Sequence, residues 1–227
     1  MEILEKKGIG KFQPLKIEEP KVFGHPIYHG FDMREKEWCR IIINASKIIK
    51  EYNGLHGFPK VIREIHAQET YTIISDAKRL DTLILEEDEI PTRFIDDFVI
   101  TINTICEEIS NVCLVPSLIY IDERSIQFAG AGLKIKQDEE IPNLIQWMAT
   151  LITQDVDFLK KSRFQESFIR WEGRLPLNWF ELGRKDIEII EALPRIQKWK
   201  IELSNEKYGN STKFFSDSLK GNMLRNF

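Results

Sequence analysis

The chain has 227 residues, of which 42% are hydrophobic and 30% charged, and its formal net charge is −4. This composition is sufficient for a buried core, and the negative balance offers no general attraction to nucleic acid or to an anionic membrane. No uncharged run reaches the roughly 18 residues that a membrane-spanning helix needs, and the first residues lack a signal-peptide core. We therefore expect a soluble cytoplasmic protein without membrane insertion.

The first half of the sequence predicts strands around one helix. Short apolar alternations within the first 30 residues indicate short strands and turns. From Arg34 to Tyr52 the apolar residues recur at spacings of three and four, which predicts an amphipathic helix. Asn53-Gly54 and His56-Gly57 then follow, as is typical of a helix end. Two strands are expected next, at Lys60–Ile65 and Thr70–Ser75.

The second half is predicted to be mainly helical around one hairpin. A long helical pattern covers Phe94–Ile109, and Pro91 precedes it, as suits a first helical turn. Leu118–Ile121 and Ser125–Phe128 flank a charged turn and predict a β-hairpin, which ends at Gly130-Ala131-Gly132. Three more helical segments are expected: one from Pro142, one containing Phe164, Phe168 and Trp171, and one over roughly Trp179–Leu193. This order predicts an α+β protein with two lobes.

Several segments of the chain resemble the protein kinase family, and the resemblance covers about Met1 to Leu193. The most specific one runs from Pro116 to Lys134 and parallels the kinase hairpin between the catalytic loop and the metal-binding loop. The segment Ala45–Pro59 resembles the end of the kinase helix αC and is closest to casein-kinase-type sequences. Gly8 and Gly10 are similar to a glycine-rich phosphate loop, in which the backbone closely approaches a nucleotide.

Three further segments resemble the family. Glu69–Ser75 resembles the fifth kinase strand and the start of the hinge, and Leu80–Leu83 resembles the opening of the next helix. The helix at Phe94–Ile109 matches the long helix before the catalytic loop. The resemblance implies a two-lobed kinase-like fold with a small β-rich N-lobe at 1–75, a mainly helical, truncated C-lobe at 76–203 and a polar extension at 204–227.

The resemblance also implies that the catalytic residues have been replaced. Phosphoryl transfer needs a strand lysine paired with a helix glutamate, a catalytic base, and oxygen ligands for Mg²⁺. The lysine position falls within Ile27–Phe31, which contains no lysine. The other positions are occupied as follows: Ala45 for the helix glutamate, Cys113 for the base, Val115 for the loop lysine, Leu118 for the metal-binding Asn, and Gly130 for the metal-binding Asp.

The segment after Gly130-Ala131-Gly132 is also short, because only Lys134 to Ile141 separates it from the next predicted helix. That length cannot hold a complete activation segment, and no Ala-Pro-Glu sequence is present. We therefore expect a protein that is not an enzyme and has neither a cofactor nor a metal.

Partner binding is the function that these losses favour. We expect other proteins as partners, within a larger assembly, and no nucleic acid. Trp199 lies between two lysines beyond the kinase-like segments, and an aromatic residue flanked by cations is typical of interfaces. Phe214, Phe215 and Phe227 lie in a polar tail and are further candidate partner contacts. The acidic run Glu86–Glu89 is expected to be solvated, with a basic docking partner as the alternative.

Two other functions stay open at this point. The glycines at the start of the chain could bind a nucleotide without phosphotransfer, which would make the protein a nucleotide-binding regulator. Alternatively, the chain could be a divergent enzyme that uses residues around Cys113. The four histidines lack metal-site spacing, and the three cysteines are expected to be reduced, buried thiols.

Overall fold

The computed structural model describes residues 12–18, 27–32, 37–42, 48–65, 70–74, 77–86, 92–109, 112–121, 126–132 and 141–201. The protein is mixed α+β, as the sequence predicts, and consists of two compact units, Met1–Ile189 and Ile190–Phe227. The first unit contains two antiparallel sheets and most of the helices. Within the described ranges, no helix is both long and apolar enough to cross a membrane.

The larger sheet has five strands in the order β1-β2-β3-β5-β4. Its strands are β1 (Phe12–Glu18), β2 (Ile27–Asp32), β3 (Glu37–Ile42), β4 (Val61–Ile65) and β5 (Thr70–Ile74). All neighbouring pairs are antiparallel. The register of β1 against β2 is irregular between Pro14 and Lys16. Proline has no backbone N–H to donate, so it is tolerated on an edge strand such as β1.

The helix predicted from Arg34 to Tyr52 is wrong over its first part. Residues Glu37–Ile42 form β3, which lies in the middle of the sheet between β2 and β5. The helix α1 is described only at Ile48–Glu51. Short runs of aromatic and β-branched residues fit either structure, and pairing on both edges of β3 selects the strand.

The turn after α1 confirms the predicted helix end. Gly54 and Gly57 have positive φ angles, of 70° and 84°, which glycine adopts without a steric penalty. The Asn53 side chain donates to the carbonyl of Val61 at 3.3 Å and accepts from its N–H at 2.8 Å. These two bonds hold the turn against the start of β4. The strands predicted at Lys60–Ile65 and Thr70–Ser75 are confirmed to within one residue at each end.

A smaller sheet and two helices follow. The sheet contains β6 (Lys78–Arg79), β7 (Ile119–Ile121) and β8 (Ile126–Phe128), and β7 with β8 confirms the predicted hairpin. The helices are α2 (Leu80–Glu86) and α3 (Thr92–Glu108). The apolar face of α3 is buried, and it includes Phe98, Ile102 and Ile105. The long helix predicted at Phe94–Ile109 is therefore confirmed.

The remaining described residues form four helices, namely α4 (Leu144–Thr153), α5 (Lys161–Arg170), α6 (Trp179–Arg184) and α7, at 189–201. The third predicted helix, Trp179–Leu193, is thus interrupted after Arg184. The side chain of Asn143 donates to the carbonyls of Leu182 at 3.0 Å and Lys185 at 2.8 Å. Because Asn143 satisfies carbonyls that a continuing helix would use, it ends α6. The same side chain also caps the start of α4.

Candidate functional site

Three of the positions that the kinase resemblance assigns to catalysis come together in the structure. The segment before β7 runs antiparallel to the segment after β8, through a bridge between Val112 and Ala131. The Cys113 N–H donates to the Gly130 carbonyl at 3.2 Å. A β-carbon placed on Gly130 would lie 3.4 Å from Leu118 Cδ1. Cys113, Leu118 and Gly130, which are not adjacent in sequence, therefore share one location, and we call them the replaced site.

The replaced site is part of an apolar core. Cys113 has 0% and Leu118 has 1% of its surface exposed, and Gly130 is buried as well. The cluster around them draws on α1, β4, the start of β6 and the hairpin: Ile49, Val61, Ala77, Val115, Tyr120 and Ala129. Neither an acid nor an amide stands at any of the three positions. A thiol, an isobutyl group and a hydrogen atom offer no oxygen ligand for Mg²⁺.

Gly130 leaves no room for a side chain. A β-carbon there would lie 2.7 Å from the Cys113 carbonyl oxygen and 3.2 Å from Cys113 Cβ. The nearer contact involves backbone, which cannot rotate away as a flexible side chain would. An aspartate at position 130 would therefore require the segment at Cys113 to move.

The lysine position that the resemblance places within Ile27–Phe31 lies on β2 in the structure. No lysine stands in that range. The next strand, β3, has the sequence Glu-Trp-Cys-Arg-Ile-Ile, so it also lacks lysine, and its basic residue is Arg40.

The backbone beside the replaced site is held by Trp147 of α4. The Trp147 indole N–H donates to the Leu114 carbonyl at 2.8 Å, and both residues are buried. The ring of Trp147 also packs against Phe98 of α3, with ring centroids 5.6 Å apart. Phe98 in turn contacts Phe128 of β8 at 5.4 Å. Sequence reasoning missed this role of Trp147, and the available signal was a tryptophan within the apolar pattern of a predicted helix.

The turn that follows α1 is fastened to α3 and β8. Gly57 O accepts a hydrogen bond from the Phe128 N–H at 2.8 Å. A β-carbon on Gly57 would lie 2.6 Å from Ile105 Cδ1 and 2.7 Å from Thr101 Cγ2. His56 Nε2 lies 3.3 Å from the Thr101 hydroxyl, within hydrogen-bonding distance. The Gly-Phe-Pro segment that resembles casein-kinase-type sequences thus links the larger sheet to the helical part of the same unit.

A buried ion pair lies where β6 meets α2. Arg79 Nε donates to Asp81 Oδ1 at 3.0 Å, and its Nη2 donates to Oδ2 at 2.6 Å. Arg79 is 4% exposed and Asp81 is 0% exposed. Two parallel charge-assisted bonds offset part of the cost of removing both charges from water. The pair fixes the entry to α2 beside Tyr120, the cross-strand neighbour of Arg79.

The other predicted site residues lie in the second unit or outside the described residues. Trp199 is half-buried in α7. The remaining predicted positions lie outside the described residues: Gly8, Gly10, Ala45, Phe214, Phe215 and Phe227. Gly8 and Gly10 precede β1 in the sequence. The glycine between β1 and β2, in the connection at 19–26, is Gly24.

The described residues give little support for a metal site or for a reactive thiol. In that part of the chain, no group of three or more His, Cys, Asp or Glu side chains is placed to hold a metal ion. Cys106 and Cys113 form no disulfide. Burial raises the pKa of the Cys106 thiol above its ordinary value. A raised thiol pKa lowers the fraction of reactive thiolate at neutral pH.

No model of a known protein family and no curated protein matches the chain. The kinase resemblance therefore depends on this chain's own sequence segments.

Proposed function

We propose that the protein is a catalytically inactive, kinase-like protein that acts as a structural or scaffolding subunit through protein–protein contacts. The observation that carries the proposal is the replaced site, where Cys113, Leu118 and Gly130 meet inside an apolar core. Three positions that the resemblance assigns to catalysis lie side by side, and each has lost the group that the reaction needs.

The order of the structural elements supports the kinase-like part of the proposal. The resemblance implies a helix after the third strand, a hinge after the fifth strand, and a long helix before the hairpin. The chain has α1 after β3, β6 after β5, and α3 before β7 and β8. The docking of the Gly-Phe-Pro turn on α3 gives that segment of the resemblance a structural role.

The chemistry of the replaced site supports the loss of activity. Catalysis of phosphoryl transfer consists mainly of positioning the reactants and neutralising the charge that develops on the phosphoryl oxygens. An apolar core does neither, because a Mg²⁺ ion would be stripped of water without receiving oxygen ligands in exchange. The resemblance places the phosphate-binding lysine within Ile27–Phe31, and no lysine stands there. A kinase-like protein that has this apolar core in place of the catalytic groups can still bind other proteins through its surface.

The nucleotide-binding regulator is the alternative function, and a thermal-shift titration separates the two. We expect no saturable change in the unfolding temperature with ATP or ADP, with or without Mg²⁺. A ligand at 100 times its Kd stabilises a protein by about 2.7 kcal/mol. For a chain of this size that corresponds to a rise of about 5 °C or more. Tripolyphosphate serves as the control for nonspecific ionic effects, and a saturable shift specific to the nucleotide would favour the regulator.

Incubation with γ-labelled ATP tests the inactivity directly. We expect the label on the protein and on added casein to stay at background for the wild type and for Cys113→Ala alike. Label that depends on Cys113 would instead support the divergent enzyme. Label that survives Cys113→Ala would contradict the inactive protein as well.

A further inference from the structure

The turn between α5 and α6 presents an aromatic ring with a cation stacked on it. Trp171 is half-buried, and the Arg174 guanidinium lies over its ring, with Cζ 5.2 Å from the ring centroid. Arg174 is exposed and forms no ion pair with any residue of the described ranges. The cation is thus positioned by the ring without being neutralised by a carboxylate.

The Trp171 ring is held through its indole N–H by the carboxylate of Asp155. Asp155 Oδ2 accepts hydrogen bonds from Trp171 Nε1 at 3.0 Å and from Arg170 Nη1 at 2.8 Å. The Asp155 side chain is only 9% exposed, and its Oδ1 accepts the Asp157 N–H at 3.1 Å. Trp171 therefore keeps one orientation before any partner arrives. A preorganised side chain loses less entropy on binding than a mobile one.

Two exposed aliphatic residues lie on either side of this pair along the chain. Ile169 is 62% exposed and Leu177 is 75% exposed, the highest value among the large apolar residues that the structure describes as exposed. Their neighbours Phe168 and Leu175 are 6% and 5% exposed, so the local backbone is anchored in the core. We call the following residues the α5–α6 surface: Ile169, Arg170, Trp171, Arg174 and Leu177.

Arg174 differs from the other basic side chains of this region, because no described carboxylate pairs with it. Residues 160–177 contain five basic side chains, and four of them, Lys160, Lys161, Arg163 and Arg170, pair with carboxylates. Tryptophan and arginine are the residue types most enriched among binding hot spots, and complementary charge selects the partner. Nucleic acid fits less well, because the net negative charge repels phosphates and the exposed aliphatic side chains would face polar groups.

We propose that the α5–α6 surface docks a segment of a partner protein that carries a carboxylate beside an aliphatic side chain. The carboxylate pairs with Arg174 over the Trp171 ring, and the aliphatic group covers Leu177 or Ile169. This inference rests on the proposed scaffolding function, since it names the chemistry of one partner contact. It does not depend on whether the protein binds a nucleotide.

Selection from a displayed library of random 12-residue peptides, on the full-length chain, tests the proposal. We expect enriched peptides to contain at least one Asp or Glu next to a Leu, Ile or Val. The most enriched peptide is then synthesised with a fluorescent label, and its Kd is measured by anisotropy. Arg174→Glu should weaken binding by about tenfold or more, as expected when a hot-spot cation is reversed. Leu177→Ser should also weaken it.

Arg93→Glu provides the matched control, because the Arg93 guanidinium lies over the Phe94 ring at 5.0 Å and is likewise exposed. This variant should bind the peptide as the wild type does. Circular dichroism confirms that each variant is folded. The proposal is overturned if no peptide is enriched, if the enriched peptides lack acidic residues, or if Arg174→Glu binds them as tightly as the wild type. Failure of the scaffolding function would appear separately, as nucleotide binding or phosphotransfer.

Discussion

Gly130 packs directly against the backbone of Cys113, so a β-carbon at Gly130 would lie 2.7 Å from the Cys113 carbonyl oxygen. In the kinase resemblance these two positions belong to the metal-binding Asp and the catalytic base. The contact shows that a glycine at position 130 fits the backbone at Cys113. Any side chain introduced at position 130 would therefore disturb the packing of the replaced site.

Substitution of Gly130 tests this contact. Gly130→Ala should lower the free energy of unfolding by about 1–3 kcal/mol, because the added methyl group overpacks the core. Gly130→Asp should lower it further, since a buried carboxylate without partners adds a desolvation cost. Urea unfolding followed by circular dichroism measures both. Gly130→Asp is also expected to show no label transfer from ATP. Wild-type stability in both variants would contradict the tight packing.

Replacement of Trp147 tests how the segment beside the replaced site is held. Trp147→Phe keeps an aromatic ring but removes the N–H that donates to the Leu114 carbonyl. Leaving that buried carbonyl unpaired should cost about 1–3 kcal/mol of stability. Hydrogen exchange monitored by mass spectrometry should become faster in peptides that cover residues 112–115. Peptides from α5 serve as the internal control, and an unchanged exchange rate at 112–115 would exclude this role.

The ion pair between Arg79 and Asp81 can be tested by removing one or both partners. Arg79→Met alone should cost about 3–5 kcal/mol, because the buried Asp81 carboxylate loses the two charge-assisted bonds that Arg79 donates. The double variant Arg79→Met/Asp81→Leu should recover most of that loss, as apolar replacement of a buried pair is often close to neutral. Denaturant unfolding of the two single variants and the double variant completes the cycle. If the loss of stability in the double variant equals the sum of the two single losses, the two side chains are not coupled.

The thiols should differ in reactivity. Cys113 is fully buried, and burial raises the pKa of Cys106. In a Cys39→Ser background at pH 8, iodoacetamide should modify Cys106 more slowly than it modifies free cysteine, and should leave Cys113 unmodified until denaturant is added. Peptide mass spectrometry follows both sites. Rapid alkylation of Cys113 in the folded protein would revive the divergent enzyme hypothesis.

The raised pKa of Cys106 also predicts a pH dependence. The folded state favours the neutral thiol, whereas the unfolded chain ionises at its ordinary, lower pKa. The contribution of Cys106 to stability is therefore fully present below the unfolded-state pKa and is lost as the pH rises through the folded-state pKa. Cys106→Ala should flatten the decline in urea stability between about pH 8 and pH 10, within the range where free thiols titrate. An unchanged decline in Cys106→Ala would contradict the shift.

Much of the secondary structure could be predicted because its signals are local. The long apolar stripe of α3 and the β7–β8 hairpin follow from residue spacing and turn residues alone. The segment at Glu37–Ile42 was predicted to be helical because Trp38, Ile41 and Ile42 also fit a helical spacing. The hydrogen bonds to the preceding strand, β2, and to β5, which is distant in sequence, select the strand.

The sequence by itself determined the residue types at Cys113, Leu118 and Gly130, and so the absence of an acid or an amide at these three positions. Only the tertiary structure decided that these residues meet in one buried cluster, with Trp147 holding the neighbouring backbone. It also decided that α6 ends at Arg184, because Asn143, far away in sequence, supplies the hydrogen bonds that stop it. The physical reason is common to both cases: the identity of a side chain is local, whereas its partners are set by how the chain packs.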